Sequence, residues 1–176
     1  MSEEKKKPWI NHMALVTVIL AVCATLSTFK GGSYSTQSVI SQALASDQWA
    51  FFQAKSTKQH LYELQVESLR LQALALPADS PAAAAYDRKI ADDAQKVARY
   101  EHEKKDIEAK ARQLEEQRDL AKQHGKPFGM AVMFLQVAIL LNSIAGLMKA
   151  QNVWWAALPV GATGLLFFLN GFFAFF

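Results

Sequence analysis

The chain has 176 residues, is 51% hydrophobic and 20% charged, and carries a formal net charge of +3. Between Lys30 and Lys126 stand 15 Lys and Arg against 14 Asp and Glu, a balance that argues against the clustered basic excess of a nucleic-acid-binding face. Charge and apolarity are segregated in long blocks, with no charged residue from Trp9 to Phe29 and only Lys149 from Phe128 to Phe176, which argues against an ordinary globular domain and for two solvents.

Residues 1–9 form a tail containing Lys5, Lys6 and Lys7, and the first apolar run is Ile10–Phe29. A helix of about 20 apolar residues crosses a bilayer core, so residues 10–29 are predicted as transmembrane helix 1. The lysines and Val22-Cys23-Ala24 also fit a signal peptide with its cleavage site, but the span is expected to be retained as an anchor. Cys23 is the one cysteine and has no intramolecular disulfide partner.

Lys30-Gly31-Gly32 is expected to break the helix at the end of the first span. Residues 30–127 then read as an extramembrane helical hairpin. Neither Gly nor Pro interrupts 34–76, Pro77-Ala78-Asp79-Ser80-Pro81 is a turn signal, and 82–124 is again unbroken until Gly125-Lys126-Pro127. The arms 34–76 and 82–124 have equal lengths, on the order of 65 Å at the helical rise. Equal arms are what an antiparallel hairpin needs to return to the membrane it left.

The second arm carries one seam in alternating four–three spacing: Tyr86, Ile90, Val97, Tyr100, Ile107, Ala111, Leu114 and Ala121. Asp93, Lys104 and Arg118 fill three of its slots, a coiled-coil pattern with polar interruptions. The first arm carries two stripes on roughly opposite sides of one helix. One runs through Ile40, Leu44, Phe51, Tyr62, Val66, Leu69, Ala73 and Leu76; the other through Leu61, Leu64, Leu71 and Leu74. One stripe can pack on the second arm. The other is expected to find a second copy of the chain, although a bent hairpin covering both is the alternative. Trp49, Phe51 and Phe52 stand within one turn and point in different directions. They are read either as a patch for a protein partner or as part of an oligomer core.

Residues 128–148 and 153–176 are predicted as transmembrane helices 2 and 3, joined by a short loop at 149–152. Trp9, Trp154 and Trp155 mark one membrane interface. Gln136, Asn142 and Asn170 are polar residues inside the spans. They are expected to make interhelical hydrogen bonds, the other reading being a polar path for a solute. By the positive-inside rule, the lysines of the tail and Lys149 are expected to place the N-terminus in the cytoplasm and the hairpin outside, in the periplasm if the cell is Gram-negative.

Catalytic spacings are missing. His12, His60, His102 and His124 are far apart, none has a Glu three residues before it, and there is no His-Glu-x-x-His, Cys pair, phosphate loop or Gly-x-Ser-x-Gly. Glu63 with Glu67, and Glu101 with Glu103 and Asp106, read as solvated helix faces. No cofactor, metal or nucleic acid is expected, and the chain is not read as an enzyme.

The stretch Leu20-Ala-Val-Cys-Ala-Thr-Leu-Ser-Thr-Phe-Lys-Gly-Gly-Ser-Tyr-Ser-Thr36, and Ala45–His60 running into Leu61-Tyr62-Glu63, resemble a family of bacterial membrane proteins catalogued only as a domain of unknown function, number 4337. The resemblance covers most of the chain and is strongest from the first span to Glu63. It implies a bacterial inner-membrane location and the same three-span layout, and it supplies no catalytic or binding residues.

The expected fold is therefore an all-α membrane protein of three transmembrane helices, with a long antiparallel, coiled-coil-like hairpin between the first two. The expected role is a self-associating scaffold, accessory subunit or interaction protein, in contact with the lipid bilayer, with copies of itself and with an envelope protein partner. The alternative is a small oligomeric channel or transporter subunit with a pore lined by helices 2 and 3.

Overall fold

A computed structural model describes residues 8–77 and 80–173. Among these residues there are three helices and no strand: α1 (Pro8–Ala73), α2 (Pro81–Met148) and α3 (Gln151–Phe173). Each contains a stretch long and apolar enough to cross a membrane. Residues 1–7 of the expected tail, turn residues 78–79 and residues 174–176 lie outside the described part.

Local chemistry sets the helix ends. Ser80 caps α2, its Oγ accepting the Ala83 backbone N–H at 3.1 Å, and Pro81 occupies the first helical position, where it forfeits no hydrogen bond. At the far end Lys149 turns left-handed at φ 50°, and the Ala150 N–H donates to the Ala145 carbonyl at 3.0 Å, closing the helix. At the other end of the 77–81 turn, α1 stops at Ala73, so Leu74 and Leu76 of the predicted arm fall beyond it.

The expected breaks at both ends of the hairpin do not occur. Helix α1 passes through Gly31 and Gly32, and α2 passes through Gly125 and Pro127. Glycine inside a helix costs only about 1 kcal/mol, which tertiary packing can offset. Here it does so through close approach. A Cβ on Gly31 would lie 3.2 Å from Phe128 Cβ, and one on Gly125 would lie 3.1 Å from Tyr34 Cβ.

The chain divides into two compact units. One comprises Met1–Val39 with Arg118–Phe176, and the other Ile40–Gln117. In the first, Leu20, Ala24, Ala131, Leu135 and Ala138 form the buried core. Small residues let the three helices approach: a Cβ on Gly164 would lie 2.8 Å from Leu135 Cγ. Trp9 and Trp154 pack with ring centroids 6.0 Å apart at one end of this unit. Phe128 and Phe172 meet edge-on at 5.2 Å at the other.

In the second unit, α1 and α2 meet through pairs taken in opposite chain order. Trp49 bonds Glu115, Lys55 bonds Glu103, Lys104 bonds Gln59, Tyr62 stacks on Tyr100, and Tyr86 bonds Gln72. The buried apolar residues along this contact are few and mostly small: Ala45, Val66, Tyr100, Ile107 and Ala111.

Candidate interaction surface

The face of α1 turned to α2 follows an uninterrupted three–four spacing through Ser41, Ala45, Gln48, Phe52, Lys55, Gln59, Tyr62, Val66 and Leu69, all buried or half-buried. Nearly half of these are polar. That is why apolar stripes alone misplace the lower part of this face: Ile40, Leu44 and Phe51 are all exposed. The signal that finds it is the spacing carried on through serine, glutamine and lysine.

Lysines hold this contact together. The Lys55 ammonium donates to Glu103 Oε2 at 2.6 Å and lies 5.2 Å from the ring centroids of both Phe51 and Tyr100. Lys104 donates to the buried Gln59 Oε1 at 3.0 Å and lies 5.3 Å from the Phe52 ring. Lys96 lies 5.1 Å from the Tyr62 ring. A bond to Lys55 holds the Glu103 carboxyl below its ordinary range, and Glu101 is held low chiefly through Gln59.

Asp93 is the outlier of this unit, a carboxylate whose side chain is fully buried. Its Oδ1 accepts from Lys89 and from Lys96, each at 3.0 Å, and its Oδ2 has no hydrogen-bond partner. Burial on its own pushes the Asp93 pKa up. The bonds from Lys89 and then Lys96, with their charges, outweigh burial and leave it lowered, while Lys96 is raised by its bonds to Asp92 and Asp93.

The sequence-derived aromatic cluster is divided by this packing. Trp49 Nε1–H donates to Glu115 Oε1 at 3.0 Å, and Phe52 packs edge-on against Trp49 with centroids 5.6 Å apart. Both are half-buried, and Phe51 is left exposed. The leucines of the second stripe face outward: Leu61, Leu64, Leu71 and Leu74 are 61%, 62%, 65% and 82% exposed. The outer face of α1 is thus richer in large aliphatic side chains than the face packed on α2.

The three intramembrane polar candidates do not come together. Gln136 is exposed, whereas Asn142 and Asn170 are buried within the first unit. Asn142 sits four residues past Ala138, and Asn170 adjoins Gly171, which abuts Phe128. Fourteen residues separate Phe128 from Asn142, roughly 20 Å at the helical rise. Asn142 Oδ1 is buried without a hydrogen-bond partner, as is Ser27 Oγ, a residue that no motif or spacing in the sequence singles out. Among the described residues no group of three His, Cys, Asp or Glu is placed to hold a metal ion.

These features define a class: an all-helical protein with three helices apolar enough to cross a membrane and a charged two-helix unit. The chain belongs to the family described as Domain of unknown function (DUF4337), whose family model matches residues 9–174. Comparison with the curated proteins and with the solved structures gives no match.

Proposed function

We propose that the protein is a non-enzymatic, self-associating protein of the bacterial inner membrane, a scaffold or accessory subunit. On this reading α1, α2 and α3 each cross the bilayer once, and the second unit is an antiparallel coiled-coil hairpin on the periplasmic side. The observation that carries the proposal is the exposure of Leu61, Leu64 and Leu71 on a helix whose other face is already occupied. In water such a patch calls for a partner. Burial of Asn142 and Asn170 inside a single copy supports helix packing over a solute path.

The test is the protein mass in mild detergent by light scattering, corrected for bound detergent. A dimer or larger species is expected, and a monomer at all concentrations contradicts the proposal. The side of the membrane is tested separately. With Cys23→Ser as background, the exposed Ala82→Cys is expected to react with an impermeant thiol reagent in intact cells. Reaction only after lysis reverses the orientation.

A further inference from the structure

The exposed leucines belong to a longer pattern. Counting from Leu61 in alternating three and four residues gives Leu64, Ser68 and Leu71; counting back gives Thr57, Ala54 and Ala50. All of these positions are exposed. They stand two residues on from the inner-face positions Phe52, Lys55, Gln59, Tyr62 and Val66, which is about 200° around the helix. The chain therefore has a second seam of coiled-coil period, opposite the first, over three heptads and about 30 Å.

We infer that Ala50–Leu71 of α1 pairs with the same segment of a second copy in a parallel, in-register coiled coil. The inference rests on the membrane reading above. Two copies inserted alike leave the bilayer in the same direction and at the same level, so the membrane fixes both polarity and register. The flanks agree with self-pairing. In a parallel pair the flanking contacts are Gln53 with Lys58, His60 with Gln65, and Glu67 with Gln72, and none sets like charges together. Small residues at Ala50 and Ala54 let the helices approach closely, and leucines fill the seam at Leu61, Leu64 and Leu71. The next slot back is Asp47, where two carboxylates would oppose each other, so the seam ends at Ala50.

An in-register pair brings each seam position against its own copy, which cysteine cross-linking in native membranes reads directly. In full-length protein carrying Cys23→Ser, the variants Ala54→Cys, Leu64→Cys and Leu71→Cys are oxidised and compared with Ala109→Cys and Glu116→Cys, exposed positions on α2. The three seam variants are expected to give cross-linked dimer at several-fold higher yield than the two controls. Equal yields at seam and control positions mean random encounter and overturn the inference. A protein of dimeric mass that does not cross-link at the seam overturns the parallel pairing while leaving self-association intact. A monomer that does not cross-link removes both. All three substitutions are at exposed positions, so folding is checked simply, by unchanged helical circular dichroism.

Discussion

The two units of this chain solve opposite packing problems. In the apolar unit the interior is built mostly from small residues, and large side chains such as Val18, Leu26, Leu140 and Leu166 are exposed. In the charged unit the interior holds Lys55, Gln59, Asp93 and Lys104, and Leu61, Leu64 and Leu71 are outside. An exposed leucine has a different meaning in each. Lipid tails are as apolar as leucine, so exposure on a span costs nothing and association depends on close van der Waals contact. In water each exposed leucine forgoes about 1.5–3 kcal/mol of burial, so a stripe of them marks a surface awaiting cover.

The contrast predicts where substitution does most damage. Leu64→Lys with Leu71→Lys is expected to abolish self-association, because two ammonium groups cannot be buried in an apolar seam without partners. Helical content is expected to stay unchanged, since both residues are exposed in the single chain. Light scattering with circular dichroism checks both halves of this statement. Loss of helix together with association would mean that the outer face supports the monomer.

In the apolar unit the sensitive positions are the small ones. Gly164→Ala places a methyl group 2.8 Å from Leu135 Cγ and 3.0 Å from its backbone nitrogen. We expect destabilisation of about 1–3 kcal/mol, the usual cost of overpacking, measured by denaturation in detergent. Gly129→Ala has nothing within 4 Å of the new carbon and should be neutral or slightly stabilising. Equal effects of the two substitutions would show that close helix approach is not what holds this unit.

A smaller effect is expected inside the charged unit. A buried ion pair is a weak contributor to stability, because desolvation offsets its attraction. Asp93→Leu removes a buried carboxylate with an unpartnered oxygen, and Lys89 and Lys96 can then turn to solvent. The thermal midpoint of the hairpin should hold or rise. A large fall would mean that the Asp93 network carries stability.

The smallest effect is with pH. Asp93, Glu101 and Glu103 all have folded-state pKa values lowered from the ordinary ones. The unfolded chain therefore binds protons first as the solution is acidified. Their stabilisation is complete above the ordinary carboxylate range, near pH ~4, and is lost as pH falls below it. Thermal melts should be flat from about pH 5 to 8 and shift down below about pH 4, with a shallower drop in Glu103→Gln.

Much of this was legible in the sequence, and the exceptions share a cause. The charge-free blocks give the apolar stretches directly, because a bilayer core disfavours charge over about 20 residues. The four–three spacing of the second arm names Tyr100, Ile107, Ala111 and Ala121, all buried. The inner face of the first arm escapes an apolar search because Ser41, Gln48, Lys55 and Gln59 occupy it, their polar groups satisfied across the contact in part by Glu103 and Lys104. Gly31 and Gly125 read as helix breaks because sequence shows their intrinsic cost and not the neighbouring helix that their missing side chains admit.

The central claim is that the outer face of α1 is covered in the membrane. The rate at which Leu64→Cys reacts with a soluble thiol reagent in native membranes, set against Ala109→Cys on α2, tests it most directly. Both positions are exposed in a single copy. Leu64→Cys is expected to be protected while Ala109→Cys reacts freely, and protection is expected to be lost when Leu71→Lys is added. Equal, rapid reaction at both positions in the unmodified background would contradict the claim.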